Sequence, residues 1–222
     1  MSSKHLLNLL RLGEGVQVEF KQRMPKLNRM AKTFSAFSNS SGGRVFFGVN
    51  DEGHIMPLEN ADGTVELAQQ VAHFYCKPAI EVEAELIEVS PGEHILSVSI
   101  EESDEKPIYA VDVNHPKDAW PYFRSDKENL PMDRKSLRTM RKTRSEDLGE
   151  AFESLGKHER QMIEHLSRHP RQTLHQLSRG SNIGIQRTKK MMVELEKNGW
   201  VYSFFNEKRR EFSLAVPWKK RG

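Results

Sequence analysis

AFSNSSGGRVFFGVND, residues 36–51, holds the signals that decide the fold of the first part of the chain. The stretch begins where an amphipathic helical pattern ends, and its polar run at 38–43 stops that helix. Residues 44–49 are a short apolar run between glycine and the turn signal at 50–53, which predicts a buried strand and a hairpin turn to Ile55. The helix is predicted from apolar residues at helical spacing: Leu27, Met30, Ala31, Phe34 and Phe37.

The residues around this stretch extend a mixed α and β domain. Residues 15–21 alternate between apolar and polar side chains, as in a half-buried strand whose outward row ends in charge. Residues 65–75 are helical in pattern and stop at Lys77-Pro78, and two antiparallel strands, 80–89 and 94–100, flank the turn at Pro91-Gly92. Segments 107–113 and 122–124 add two edge strands separated by a polar loop, and we place the end of this domain at residue 140.

The last third of the chain predicts three helices and a hairpin. Residues 158–168 form the first helix, Thr173 caps a short second helix, and residues 180–182 make a turn. The third helix spans 184–198, turns Ile185, Met192 and Leu195 to the core, and stops at Gly199. Residues 200–202 and 211–214 pair as a hairpin. The sequence therefore predicts an α+β protein, with a mixed domain at 1–140, a linker at 141–156 and a winged helix-turn-helix domain at 157–222.

The composition favours a soluble protein of the cytosol. Cys76 is the only cysteine, which excludes an intramolecular disulfide and a zinc site built from several thiolates. No apolar run approaches the roughly 20 residues that cross a bilayer, and the opening segment 1–12 is too short and too polar for a signal peptide. We therefore expect a cytoplasmic protein with no membrane partner.

Charge is distributed unevenly along the chain. Residues 1–140 carry 16 Lys and Arg against 21 Asp and Glu, a net charge of −5, whereas residues 141–222 carry 18 against 10, a net of +8. Within the first part, residues 1–50 have 8 against 2 and residues 51–118 have 3 against 16. A polyanion is therefore attracted to the two ends of the sequence and repelled by its middle.

The C-terminal cations fall where a winged helix meets DNA. The predicted outward positions near the start of the third helix are Gln186, Arg187, Lys189 and Lys190. Gln and Arg read base edges, and Lys neutralises phosphate. The hairpin turn carries Lys208, Arg209 and Arg210, where a wing contacts the DNA backbone. The same residues are also compatible with a solvated helix face and a charged turn, or with a protein-docking surface.

Motifs of the first domain resemble the Schlafen, or divergent Alba-type (Alba-2), domain. Four fragments carry the resemblance in order: GEGVQVEFK at 13–21, the stretch at 36–51, Lys106-Pro107, and Tyr122-Phe123-Arg124. The resemblance covers residues 6–137 and departs at Gly15, where serine is usual, and at Ser38, where alanine is usual. It implies a DNA-binding unit, often attached to an ATPase or a helix-turn-helix. Residues 191–201, MMVELEKNGWV, resemble the end of a recognition helix that runs into a wing.

The resemblance also implies an alternative function. In Schlafen proteins that cut tRNA, the corresponding residues include two glutamates five apart and an aspartate after the glycine-containing strand, and these positions match Glu14, Glu19 and Asp51. Carried over, the three carboxylates would bind Mg²⁺ or Mn²⁺ and activate water, with Lys21 steadying a phosphate. The competing interpretation is a surface ion pair between Glu19 and Lys21 and an Asp51 that shapes a tight turn.

Three hypotheses follow. The first is a DNA-binding protein and transcriptional regulator that uses its winged helix, needs no cofactor, and uses its Schlafen-like domain to form a homodimer or to make a further nucleic-acid contact. The second is a metal-dependent endoribonuclease that uses Glu14, Glu19, Asp51 and Lys21. The third is a protein-docking adaptor. We expect nucleic acid as the partner, DNA ahead of RNA.

Overall fold

The computed structural model describes residues 3–125, 127–142, 152–169, 171–206 and 209–215 of the 222-residue chain. Helices and strands both contribute, and the α+β class is confirmed. The chain divides into two compact units: residues 1–102 with 108–131, and residues 103–107 with 132–222. The division after Pro131 falls earlier than the predicted domain limit at residue 140.

The part of the first unit that the structure describes has three helices and eight strands. The helices are α1 (Ser3–Leu12), α2 (Leu27–Ser38) and α3 (Ala61–Phe74). The strands are β1 (Val18–Lys21), β2 (Gly43–Phe47), β3 (Cys76–Lys77), β4 (Val82–Ser90), β5 (Glu93–Ile100), β6 (Tyr109–Asp112), β7 (His115–Ser125) and β8 (Glu128–Pro131). They form two four-stranded sheets, in the orders β1-β2-β5-β4 and β3-β6-β7-β8.

The first sheet is built around the run predicted to be a buried strand. β2 pairs in parallel with β1 and antiparallel with β5, which also pairs antiparallel with β4. Successive side chains of a strand point to opposite faces. Phe47 accordingly packs in a core cluster with Phe34 and Phe37 of α2, whereas Phe46 packs in a cluster with Leu6 and Leu10 of α1. Both faces of β2 are covered at Val45, Phe46 and Phe47, which is why these three residues are all apolar.

The predicted helices and strands of this unit are confirmed, with three differences. The helix predicted from residue 65 begins at Ala61, because Asn60 caps it by accepting from the Gly63 amide at 2.9 Å. The segments predicted as edge strands belong to a second sheet in which neither is at the edge, since β6 pairs with β3 and β7, and β7 pairs with β6 and β8. The polar loop predicted between them is mostly strand, because β7 begins at His115. Glu19, predicted to lie on the outward row of its strand, is buried with 6% of its surface exposed.

The buried polar end of α2 connects that helix to the second sheet. Ser35 Oγ donates to Ile108 O at 2.7 Å and accepts from the Tyr122 amide at 3.0 Å. Asn39 makes further bonds to the same two backbones, and Ser40 Oγ accepts from the Arg124 amide at 2.9 Å. The polar run that ends the helix therefore satisfies backbone groups of the neighbouring sheet.

In its described residues, the second unit has four helices and a three-stranded antiparallel sheet. The helices are α4 (Arg134–Lys142), α5 (Lys157–Arg168), α6 (Leu174–Gly180) and α7 (Ile185–Lys197). The strands β9 (Gln172–Thr173), β10 (Val201–Asn206) and β11 (Arg209–Leu214) have the order β10-β11-β9. The three predicted helices and the hairpin are confirmed.

The core of the second unit differs from the prediction at two points. Met192 and Leu195 of α7 are buried as predicted, but Ile185 is only half-buried, and Ile183 and Thr188 are buried in its place. Phe152 falls in the predicted linker 141–156, yet its ring packs against Trp200 with centroids 6.1 Å apart. The linker segment 143–151 lies outside the described residues.

Candidate nucleic-acid interface

The turn between α6 and α7 is held by side-chain hydrogen bonds. Thr173 caps α6 by accepting from the Gln176 amide, and Gln176 Oε1 accepts in return from the Thr173 amide at 2.8 Å. At the turn, Ser178 Oγ and Thr188 Oγ1 both donate to Ile183 O, at 2.7 and 3.2 Å. Because these bonds tie the end of one helix to the start of the next, the exposed face of α7 has a defined orientation on α6.

Four of the seven residues predicted to bind nucleic acid lie exposed on the first half of α7: Gln186, Arg187, Lys189 and Lys190. Within the described residues, none of the three cations has a carboxylate oxygen within 4.0 Å. The first turn of α7 carries no acidic residue. The positive end of the helix dipole therefore coincides with unneutralised side-chain charge, which favours an anionic ligand.

The hairpin cations do not all behave as predicted. Arg209 is exposed and pairs in register with Asn206, whereas Lys208 lies outside the described residues. The Arg210 guanidinium is half-covered, donates to Glu196 Oε2 at 2.9 Å and to Ser203 Oγ at 2.8 Å, and lies 5.1 Å from the Phe212 ring centre. The Arg210 guanidinium is thus bound to Glu196 and Ser203 within the second unit, and it is not a free phosphate ligand.

Glu196 is a residue that the sequence analysis missed. It is 6% exposed on the core side of α7, and its Oε1 accepts from Ser203 Oγ at 2.6 Å. Together with Arg210 it connects α7 to both strands of the hairpin. The helical spacing from Thr188 through Met192 places Glu196 on the buried face, so the periodicity contained the signal.

The carboxylate that the resemblance assigned to a metal site is neutralised by cations instead. Glu19 Oε2 lies 2.5 Å from Arg124 Nη2, and Glu19 Oε1 lies 2.6 Å from Lys21 Nζ. Arg124 is fully buried and also donates to Gly15 O, Val18 O and Asn129 Oδ1. Lys21 Nζ donates to Phe20 O at 2.8 Å. Both Glu19 oxygens, and Lys21 itself, are therefore engaged within the fold.

Glu14 and Asp51 do not complete a site with Glu19. Glu14 Oε1 accepts from the Phe20 amide at 2.7 Å, so it pairs with a backbone group of the edge strand β1. Asp51 is exposed in the predicted turn, which closes through the Gly53 amide donating to Asn50 O at 2.9 Å. Among the residues that the structure describes, no three His, Cys, Asp or Glu side chains are placed to hold a metal ion. The Mg²⁺ or Mn²⁺ site of the nuclease hypothesis therefore gains no support from these contacts and stays a prediction.

The fold and the site define a two-unit α+β protein whose second unit exposes a cationic helix. Residues 14–133, more than half of the chain, match the family model described as Schlafen, AlbA_2. The protein therefore belongs to the Schlafen AlbA_2 family.

The chain is also similar to individual proteins. It is 48% identical over 56 residues to an uncharacterized ATP-binding protein of Ureaplasma parvum. The aligned region covers 24% of this chain and 16% of that protein. Among solved structures, it is similar to the N-terminal domain of a RecG-related protein from Nitrosomonas europaea, with 25% identity, coverage of 60% and 96%, and a TM-score of 0.39. The DIP2311 protein from Corynebacterium diphtheriae shares 18% identity, with coverage of 55% and 23% and a TM-score of 0.39.

The chain covers only 16% of the length of the ATP-binding protein and 23% of the length of DIP2311. Among the described helices, none combines the length and the apolar character needed to cross a bilayer.

Proposed function

We propose that the second unit is a winged helix-turn-helix domain that binds duplex DNA. In this proposal α6 and α7 form the helix-turn-helix, α7 enters the major groove by its first half, and β10 and β11 form the wing. The observation that carries the proposal is the exposed, unneutralised set of Arg187, Lys189 and Lys190 on that half of α7. Membership in the Schlafen AlbA_2 family supports a role connected with nucleic acid.

Each of the four exposed residues on the first half of α7 has its own proposed role. Gln186 and Arg187 lie in the first turn of α7, before the buried Thr188. Their side chains carry hydrogen-bond donors that bind base edges, and Arg most often binds guanine. Lys189 and Lys190 lie further along the helix and neutralise phosphates. On the hairpin, Arg209 is the described cation that remains for the DNA backbone, since Arg210 is held by Glu196.

We further propose that the protein regulates transcription as a homodimer, with the first unit supplying the dimer contact or a further nucleic-acid surface. A single helix in the major groove reads a short site, and two copies related by a two-fold axis read two half-sites one helical turn apart. The measurement is the mass of the protein and of its DNA complex by light scattering. A monomer in both would remove the dimer from the proposal.

The test of DNA binding is fluorescence anisotropy on a labelled random-sequence duplex, with salt varied from 50 to 200 mM. Wild type is expected to bind with steep salt dependence, because each phosphate contact contributes about 0.9 to the slope of log affinity against log salt. Lys190→Ala should reduce that slope by about one. Arg187→Ala should cost about 1–3 kcal/mol on a preferred site and less on random duplex.

Lys197→Ala is the matched control, because Lys197 is an exposed lysine of the same helix. It lies at the opposite end, with Nζ 3.9 Å from Glu194 Oε2. Removing it takes the same charge from the protein, so a general electrostatic effect would weaken both variants equally. The proposal fails if wild type does not bind duplex at low salt, or if Lys190→Ala and Lys197→Ala have equal slopes.

A further inference from the structure

Four exposed cations lie together at the start of α2 in the first unit, far along the sequence from α7. Arg29 and Lys32 are exposed on the first half of this helix, whereas residues 33–38 are buried. Arg23 and Lys26 are exposed in the segment that leads into it. The basic strip, defined as Arg23, Lys26, Arg29 and Lys32, therefore occupies the part of α2 that the sheets leave uncovered.

The basic strip has little neutralising charge of its own. Residues 20–50 contain no Asp or Glu. The two acidic residues that precede them are engaged elsewhere, Glu14 with the Phe20 amide and Glu19 with Lys21 and Arg124. Within the described part of the chain, no ion pair includes a residue of the strip. Lys32 Nζ lies 5.4 Å from the centre of the Tyr122 ring.

One carboxylate borders the strip. Asp112 Oδ2 accepts from Asn28 Nδ2 at 2.8 Å, and Oδ1 accepts from the Asn114 amide at 3.0 Å. These hydrogen bonds favour the ionised form of Asp112, and the one from Asn28 is the largest cause of its lowered pKa. The strip therefore has a negative neighbour whose removal is expected to strengthen anion binding.

The spacing of the strip matches an extended polyanion better than a small anion. Its members recur every third residue, and each step of three advances a helix by about 4.5 Å. Lys26 to Lys32 thus covers about 9 Å, over which duplex DNA presents roughly five phosphate charges. Unlike the first half of α7, the strip contains cations alone, and within residues 23–32 the one side-chain amide, Asn28, is bonded to Asp112. Contacts of Lys and Arg side chains with backbone phosphates position a protein on duplex DNA and carry no sequence information.

We infer that the basic strip is a second surface for duplex DNA, which binds its phosphate backbone without reading its sequence. The inference rests on the proposed function in assuming that duplex DNA is the partner. In this scheme α7 supplies the base contacts, and the strip adds affinity that is equal for all sequences. The acidic middle of the chain, residues 51–118, supplies no cation to either surface, and its Asp112 borders the strip through Asn28.

The experiment compares Lys26→Ala/Arg29→Ala with Lys77→Ala/Lys117→Ala in the full chain, on two duplexes of unrelated sequence. Lys77 and Lys117 are exposed lysines of the same unit outside the strip, so both double variants lose two charges. The strip variant should lose about two from the salt slope and bind roughly tenfold or more weakly at 100 mM salt, by the same factor on both duplexes. Asp112→Asn should bind more tightly than wild type. Circular dichroism confirms folding of each variant.

A strip variant that matches its control in slope and affinity overturns the inference. A loss confined to one of the two duplexes also overturns it, because the strip would then be reading sequence. Arg187→Ala/Lys190→Ala, measured in parallel, separates the two proposals. Loss of binding in that variant alone leaves the proposed function and removes the strip, whereas loss in the strip variant alone leaves the strip and removes α7.

Discussion

Ser38 and Asn39 are adjacent buried polar residues with opposite hydrogen-bonding states. Asn39 Nδ2 donates to Ile108 O and Tyr122 O at 2.8 and 2.9 Å, and its Oδ1 accepts from the Ile108 amide at 2.8 Å. Ser38 Oγ is buried and, among the described residues, has no hydrogen-bond partner. A buried amide that meets backbone on both sides stabilises the fold, whereas an unpaired buried hydroxyl costs free energy.

At the residue scale, we expect Asn39→Ala and Ser38→Ala to change stability in opposite directions. Asn39→Ala should lower the free energy of unfolding by about 3 kcal/mol, because it leaves buried Ile108 and Tyr122 backbone groups unpaired. Ser38→Ala should be neutral or stabilising by up to about 1 kcal/mol. Urea denaturation followed by circular dichroism measures both. Equal losses of stability in the two variants would contradict the opposite roles assigned to Asn39 and Ser38.

At the scale of elements, the hairpin of the second unit separates two neighbouring arginines. Arg210 is held by Glu196 of α7 and by Ser203 of β10, and Arg209 is exposed on the same strand. The buried Glu196 carboxylate depends on Arg210 for its neutralisation, since a buried charge without a partner is costly. Arg210 therefore fixes the position of the hairpin on α7, whereas Arg209 faces solvent.

We expect Arg210→Ala to lower stability and Arg209→Ala to lower DNA affinity. The first change should cost about 1–3 kcal/mol, discounted because the Arg210 side chain is 37% exposed. The second should stay within about 0.5 kcal/mol of wild-type stability and reduce the salt slope of DNA binding by about one. Thermal denaturation and anisotropy on one duplex distinguish them. A stable Arg210→Ala protein would show that Glu196 needs no partner.

The His165 ring of α5 lies against the end of α6. Its ring packs against Gly180, where an added Cβ would lie 2.3 Å from His165 Cε1, and its centroid lies 4.8 Å from that of His169. Burial lowers the pKa of His165 below its ordinary 6.5, and the charges of His169 and Arg168 add to this, while a Gln172 hydrogen bond opposes it.

The stability of the second unit should therefore fall as pH decreases below about 6.5. A histidine with a lowered folded pKa contributes fully above its unfolded pKa, and the contribution is lost as pH falls towards the folded value, because the unfolded chain binds the proton first. Urea midpoints between pH 7.5 and 5 measure the effect. His165→Gln should flatten the dependence, and His175→Gln, an exposed histidine on α6, should leave the contribution of His165 unchanged. Identical profiles for His165→Gln and wild type would contradict this assignment.

At the scale of the whole molecule, the small net charge is the sum of basic and acidic regions of the chain. The chain carries a formal +3, yet residues 51–118 hold 16 acidic residues, among them Glu81 and Glu83, which are exposed beside and on β4. Long-range repulsion of DNA by such charges acts on the association rate and is screened beyond about 10 Å at 0.1 M salt.

Glu81→Gln/Glu83→Gln should accordingly speed association with DNA at low salt and have little effect near 0.15 M. The variant raises the formal charge from +3 to +5 without touching α7 or the basic strip. Stopped-flow anisotropy at 20 and 150 mM salt measures the association rate. An increase of equal size at both salt concentrations would indicate a direct contact of this region with DNA instead of long-range repulsion.

Much of the local structure followed from periodicity and turn chemistry alone. The spacing of Leu27 to Phe37 predicted α2, the apolar run of 44–49 predicted β2, and Thr173 and Gly199 marked helix ends that the structure confirms. The exposure of Gln186, Arg187, Lys189 and Lys190 was also predictable, because it depends only on which side of one helix is apolar. The family resemblance followed from the order of short motifs.

Only the tertiary structure decided which charged side chains face solvent and which are paired within the fold. Alternation placed Glu19 outward, but Arg124, more than a hundred residues away in sequence, lies against it and buries both charges. The same long-range pairing commits Arg210 to Glu196, leaves Glu14, Glu19 and Asp51 without a common site, and places β7 inside a second sheet. A sequence records which residues can ionise. Whether an ionised group faces solvent or a partner depends on contacts between distant segments, which periodicity within one element cannot encode.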